Sequence, residues 1–584
     1  MLALGVSGAL GLTAANAATY RIIDKGDVDN LKFTYAQQFN NAGEMAVSGT
    51  SYYNFPVQYD YLDEDDFQAI ELAAERLHES VFGINDLEDY DAMVAGDPTA
   101  NDLYWVVKYL QDQGTSPTYQ KVGNASAMVN LSGQTESVTI FDKPFEETGD
   151  LTLSTTDYIN GITHVGWIFG NASAPYLPKS FVNSTETEII YFHRDFTTRG
   201  YFSPDGGTTI IDVLPPTEQT DNPDRHYGGE SALLGMSDSS NYAVGYASVG
   251  LDEDKVEFIE KTDEGGCNDP VVLADLPLEV CIQGQLDGMY DLDAALWTIG
   301  DNNEISVESL GILVEPHADD PRTYSSVAQA VNDNGVAVGY SHGWVNEQET
   351  NPEWNEPRSL YGVIFKDGKV ISFTEDHEEY FESRTYDINN DGIAVGHATT
   401  YVNGAARTKA FWVDTNEENP KMVLPESYFK GAAHTARSVN NYGFFVGEGE
   451  VETHNDSPQN PRRTEGYIYD INNELVHNLN DLTACGSPYT ITEARDINDN
   501  NVIAATAVVK ADRRDAKGEV MLDENGNVLR EDVLRAVILE PIDGEIEECI
   551  EEEDFVERQG AGFGFYALLS LFGLGILRRK LRSH

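Results

Sequence analysis

A short motif returns along the second half of the chain, and that recurrence limits the fold more than any other feature. Its clear copies are AVNDNGVAVGYS (Ala330–Ser341), DINNDGIAVGHA (Asp387–Ala398), SVNNYGFFVGEG (Ser438–Gly449) and DINDNNVIAATA (Asp496–Ala507). The asparagine after the aliphatic residue falls at Asn332, Asn389, Asn440 and Asn498. The step is about 50–60 residues, the range of propeller blades. Weaker copies lie upstream at Gln38–Gly49, Tyr158–Trp167 and Gly235–Tyr246, making about seven. Within a unit, an aliphatic residue ends one strand, and an Asn-Asp-x-Gly composition supplies the left-handed positions of a tight hairpin. A second strand closes on glycine. Third strands read AALWTI (Ala294–Ile299), YGVIF (Tyr361–Phe365), KAFWV (Lys409–Val413), GYIYD (Gly466–Asp470) and RAVIL (Arg535–Leu539). Fourth strands follow at Lys369–Phe373 and Glu474–Leu479. Four antiparallel strands per unit make a blade, so the sequence predicts an all-β fold, a β-propeller of about seven four-stranded blades.

Three stretches interrupt the frame. Residues 63–114 carry apolar residues at helical spacing (Phe67, Ile70, Leu77 and Val81, then Leu103, Val106, Val107 and Leu110), which predicts an insertion of two helices in the first blade. Residues 252–285 and 342–357 read as long polar loops. Insertions in a repeat array usually gather on one face, often the binding face. The last unit lacks a good fourth strand after Arg535–Leu539, while Tyr20–Asp24 is a β-prone stretch ahead of the first asparagine turn. An unclosed ring would leave two unpaired edges. Tyr20–Asp24 is therefore expected to pair with Arg535–Leu539 and complete the last blade.

The ends of the chain read as an address. Residues 1–17 form an apolar run ending in small residues, with Ala15-Asn16-Ala17 matching a signal-peptidase site and cleavage between Ala17 and Ala18, although no Lys or Arg precedes the run. The repeat domain then spans 18–545, an acidic stalk 546–559, an uncharged, mostly apolar segment 560–577 and a basic tail 578–584. The apolar segment is just long enough for a transmembrane helix. Arg578, Arg579, Lys580 and Arg582 behind it place the tail in the cytoplasm and the body outside. Four cysteines and no C-x-x-C pair suit an oxidising compartment, and pairing by proximity gives Cys267–Cys281 and Cys485–Cys549, one of three possible pairings. The formal charge of −62, from 37 basic and 99 acidic residues, argues against nucleic acid as a partner. It fits solubility in a salty medium, or a cationic or calcium-rich partner.

The tail, with Gly560-Ala561-Gly562 ahead of an apolar helix and a basic cluster, resembles the GlyGly-CTERM class of bacterial sorting signals. That resemblance implies processing by an intramembrane protease of the rhombosortase type, although the motif here is not a clean Gly-Gly pair. The repeats resemble the HAF-type repeats of exported bacterial proteins. Together with the tail they resemble an uncharacterised family of Gram-negative exported proteins, which implies a location and a fold but no established activity.

No motif identifies catalytic or cofactor-binding residues. Gly339-Tyr340-Ser341-His342-Gly343 matches G-x-S-x-G, but it ends a repeat strand instead of turning into a helix. Ser203–Thr209 resembles the Asp box of sialidase-like propellers, which is a hairpin turn. Asp387, Asn389 and Asp391 imitate the start of a calcium loop, but Ala398 stands where an EF-hand needs a bidentate Glu, and Asp523-x-Asn525-x-Asn527 is similar. Three function classes follow: a surface or periplasmic binding or scaffold module of unknown ligand, a propeller-face hydrolase or lyase acting on an envelope or extracellular polymer, or a structural or adhesive envelope component.

Overall fold

The computed structural model describes residues 19–216, 227–300 and 303–544. Among these the strands form seven blade sheets and one separate two-stranded hairpin. Blade 1 holds Leu31–Phe39, Met45–Tyr52, Ser126–Asn130 and Thr135–Ser137. Blade 2 begins with Asp157–Ile162, blade 3 with Ser231–Met236, blade 4 with Ser326–Val331, blade 5 with Glu382–Ile388, blade 6 with His434–Val439 and blade 7 with Thr490–Ile497. Each of these is the first strand of an antiparallel meander. Blade 5 has three strands, with an isolated bridge between Trp412 and Val423 where a fourth would lie. Its sequence there is flanked by Pro420 and Pro425, which have no N–H to give a ladder.

The closure is as expected. Thr19–Asp24 pairs antiparallel with Arg530–Ile542 as the outermost strand of blade 7, with Ile22 opposite Leu539 and Asp24 opposite Val537. Buried Tyr20 joins the blade 6–blade 7 core with Ile468, Leu479, Ile491 and Val537. Hydrophobic clusters of this kind fill the spaces between neighbouring blades around the ring.

Each asparagine turn links one blade to the next. Asn440 Oδ1 accepts the N–H groups of Tyr442 and Phe444 within its own turn, at 3.0 and 3.1 Å. Its amide donates to the Asn498 carbonyl of blade 7 at 3.1 Å. Asn332, Asn389, Asn498 and Asn40 repeat this link, reaching Asn389 O, Asn440 O, Asn40 O and Thr163 O at 2.8–3.3 Å. A parallel set runs one residue on: the N–H groups of Asp333, Asn390 and Asn441 donate to Asn390, Asn441 and Asp499. The recurrent glycine of the second strand has a separate reason. A Cβ on Gly339 or Gly447 would lie 1.9 Å from a carbonyl oxygen of the first strand, beside the bulge that interrupts the pairing there.

At the opposite end of the first strand, a hydroxyl makes the inter-blade link. Ser326 Oγ accepts the Ala294 N–H of blade 3 at 2.9 Å and donates to the Gly311 carbonyl at 2.6 Å. Ser231, Ser383 and Thr34 take the corresponding N–H groups of Gly200, Gly362 and Ala536. Blade 2 has Asp157 in this position and blade 6 has His434.

In an antiparallel meander every connection between second and third strands leaves from this same end. The helical insertion lies in blade 1, as read, but holds three helices, Glu64–Leu77, Tyr90–Val94 and Ala100–Asp112. Residues 252–285 are not a polar loop. They fold into the short helices Glu253–Glu260, Pro270–Leu273 and Leu278–Gln283 around a Cys267–Cys281 disulfide with 5.6 Å between Cα atoms. The first two begin at side-chain caps, Asp252 and Asp269. In blade 2 the hairpin Leu177–Val182/Glu188–His193 lies between the neighbouring insertions. Phe192 meets Tyr61 edge-on at 5.4 Å on one side, and Lys179 pairs with Glu279 at 2.7 Å on the other.

Candidate functional site

The seven first strands line a central channel with a cavity of about 270 Å³. Period-two alternation and the bulge turn the residue three before each turn asparagine, or its equivalent, toward the axis. Around the ring these are Gln37, Asn160, Leu234, Gln329, Tyr386, Arg437 and Arg495. The lining thus combines three amides, two guanidinium groups, one aromatic ring and one leucine.

The cationic side of the channel is ordered by stacking. Arg384 lies 4.8 Å from the Tyr340 ring centroid, and Arg437 lies 4.9 Å from that of Tyr386. Arg437 chelates Glu448 through Nε and Nη2, the shortest contact being 2.6 Å. Its Nη1 makes no hydrogen bond among the described residues. Arg495 Nη1 lies 3.0 Å from Glu493, and its Nε and Nη2 have no partner there. His397 sits behind this row. Burial, then Arg437 and Arg384, push its pKa down to about 4, so it is neutral at pH 7. On the other side His164 Nδ1 pairs with Asp238, which raises the His164 pKa, while its buried Nε2 has no partner among the described residues.

The carboxylates next to the cavity are committed elsewhere. Asp387 accepts the N–H groups of Val439 and Ile388, each at 2.8 Å. Asp496 accepts the Phe39 N–H and the Ser438 hydroxyl at 2.8 and 2.7 Å. Burial raises both pKa values, that of Asp387 to about 6. Burial also raises Glu448 against the pull of Arg437.

The calcium-like trio does not converge on a common point. Asp387 faces the blade 6 backbone, Asn389 Oδ1 accepts the Ile393 N–H, and Asp391 is exposed. Among the described residues no three His, Cys, Asp or Glu side chains could together hold a metal ion. Ser341 lies within the strand Ala337–Trp344. Asp205 and Asp523 each fold their own hairpin turn. Cys485 is disulfide-bonded. Cys549 lies outside the described residues, as do Ala17, Ala18, Gly560, Ala561, Gly562, Arg578, Arg579, Lys580 and Arg582. Among the described residues no helix is long and apolar enough to cross a membrane; segment 560–577 is not among them. The channel residues Tyr386, Arg437, Arg495 and His164 were not singled out from the sequence. Aligning the repeats on their asparagines would have exposed the first three as a column of large polar side chains inside a strand.

Among solved structures, the chain is similar to the β-propeller domain of the Trilobed protease from Pyrococcus furiosus, at 10% identity and a TM-score of 0.34, over 91% of this chain and 99% of that one. It is similar to prolyl oligopeptidase B from Galerina marginata at 11% identity and 0.32, over 87% of this chain and 61% of that one. Trypanosoma rangeli sialidase is similar at 10% and 0.27, over 70% and 56%. No curated protein matches the sequence. A family model does match, over residues 1–580, and the chain belongs to that family, described as protein of unknown function (DUF3466).

Proposed function

We propose that the protein is an exported binding module whose central channel takes a polar ligand carrying an anionic group. The observation that carries this reading is the pair Arg437 and Arg495. In a chain of net charge −62, two guanidinium groups line the channel and retain unengaged N–H donors there. Amides from Gln37, Asn160 and Gln329 stand around them, suited to hydroxyl groups. In this reading residues 560–577 hold the body at the cell envelope, with Gly560–Gly562 as a processing site. The Cys267–Cys281 bond supports an oxidising location. A propeller-face hydrolase draws some support from the raised pKa of Asp387. The two backbone N–H groups on that carboxylate favour a structural role instead.

The test is calorimetric titration of the folded body with D-galacturonate and with D-galactose. The acid is expected to bind at least tenfold more tightly than the neutral sugar, on the order of 1.4 kcal/mol, and Arg495→Gln should remove the difference. Equal affinity for the two sugars, no binding of either, or an unaffected Arg495→Gln variant would refute the channel reading. For location, protease added to cells with a permeabilised outer membrane should digest the body; a body protected in the cytoplasm would refute export.

A further inference from the structure

A second cavity, of about 440 Å³, opens on blade 4 at the end that carries the insertions. Trp344 at the end of the second strand, Glu347 and Glu349 from the connection after it, Ser372 and His377 from the far side, and Glu315 from the preceding linker line it. His377 is only 5% exposed. Its ring lies flat on Tyr361, 3.6 Å between centroids and 10° between planes. Its Nδ1 is 2.7 Å from the Trp344 carbonyl oxygen. A carbonyl only accepts, so Nδ1 carries the proton, and in the neutral ring Nε2 presents a lone pair. That Nε2 is buried without a partner among the described residues, and so is Ser372 Oγ. A buried polar atom left unpaired is costly, and a ligand with the right hydrogen would relieve that cost.

The carboxylates set the sign of that ligand. Glu347 accepts the backbone N–H of His377 at 3.3 Å and Glu349 accepts the backbone N–H of Asn351 at 2.7 Å. Glu315, Glu347 and Glu349 have no Lys or Arg partner among the described residues. A lone-pair nitrogen and three carboxylates accept hydrogen bonds and donate none; the Ser372 hydroxyl can do either. No three metal-ligating side chains converge there. We propose that this cavity binds an alkylammonium group, its three N–H donors directed at His377 Nε2, Ser372 Oγ and the Glu347 carboxylate, with Glu349 and Glu315 adding negative charge to the lining. This site is separate from the channel and does not depend on the reading of it.

The probe is cadaverine, with 1-pentanol as its uncharged counterpart. Calorimetry on the full chain gives stoichiometry, and ¹⁵N spectra of histidine-labelled protein, assigned with His377→Gln, follow Nε2 directly. One site is expected, with the His377 Nε2 resonance shifting on saturation and 1-pentanol inert. Glu347→Gln with Glu349→Gln should weaken binding at least tenfold. Glu417→Gln with Glu418→Gln, an exposed acidic pair elsewhere, should change it less than twofold. Equal weakening by both double variants would reduce the effect to general attraction by an acidic surface and overturn the proposal. So would an unmoved His377 resonance, or no binding by a wild-type chain that is folded.

Discussion

The end of the ring that carries the asparagine turns and the end that carries the connections between second and third strands are held together differently. At the first, a side-chain amide at each of five turns bonds to the backbone of the next blade. At the second, blades 7, 2, 3 and 4 are tied to their successors by Thr34, Ser231, Ser326 and Ser383, and the connections that leave there from blades 1, 2 and 3 fold into insertions unlike one another. A residue fixed by a repeated backbone link has little freedom to change. Side chains hung on loops outside that link can vary without loosening the ring. The difference places repeated geometry at one end and individuality at the other.

Removing residues 19–24 should have the largest effect, because it affects both ends. The buried side chain of Tyr20 and the half-buried ones of Ile22 and Ile23 are worth on the order of 5 kcal/mol together. Urea unfolding should show a correspondingly lower midpoint; an unchanged midpoint would mean that the ring does not need its closing strand.

Asp157 offers a pH test of the hydroxyl end. Burial lifts its pKa to about 7, against the Thr155 hydrogen bond. A carboxyl with a raised folded pKa is most stabilising while protonated. Its contribution is present below the unfolded value near 4 and is lost as pH rises through about 7. The full shift corresponds to a ceiling of roughly 4 kcal/mol. His434 acts in the opposite sense: burial holds its pKa down to about 4, so its contribution is lost as pH falls from 6.5. The comparison must therefore be wild type against Asp157→Asn, whose difference should grow in favour of the variant between pH 4 and 7. A difference independent of pH would show that Asp157 does not titrate there.

Asn440→Ala should cost about 3 kcal/mol, since it leaves the N–H groups of Tyr442 and Phe444 without their acceptor and removes one of the two hydrogen bonds to the Asn498 carbonyl, the other coming from the Asn501 N–H. A loss under about 0.5 kcal/mol would remove the distinction between the two ends. Replacing Cys267 and Cys281 by serine frees a closed loop worth roughly 3 kcal/mol in the chain-entropy model. Hydrogen exchange should confine that loosening to residues 252–289 and leave the asparagine turns protected. Phe82→Ser should be the mildest change, within about 0.5 kcal/mol, because the ring is 84% exposed.

The legible part of the sequence follows the same division. Blades 4 to 7 and blade 1 could be read because the amide link demands Asn at one point and a left-handed residue three positions later, Gly335, Gly392, Gly443, Gly43 or Asn501. Blades 2 and 3 were faint because Thr163 and Ser237 replace the asparagine. Where the link is absent, so is its signature. The helices between 252 and 285 escaped because none exceeds eight residues, too short for an apolar period to show. The channel wall was hidden for another reason: Arg437 and Arg495 become neighbours only when the repeats are arranged around an axis, and sequence order keeps them 58 positions apart.

The closing strand has a consequence for the order of events as the chain is made. Arg21 and Glu540, which pair in that strand, stand 519 positions apart. No earlier partner completes blade 7, so the first strand must wait with an open edge until nearly the whole propeller has emerged. At about 5–20 residues per second of synthesis, that wait is tens of seconds or more. Throughout it the nascent chain offers an unpaired strand to any other chain nearby. The surplus of 62 negative charges keeps such chains apart during that interval.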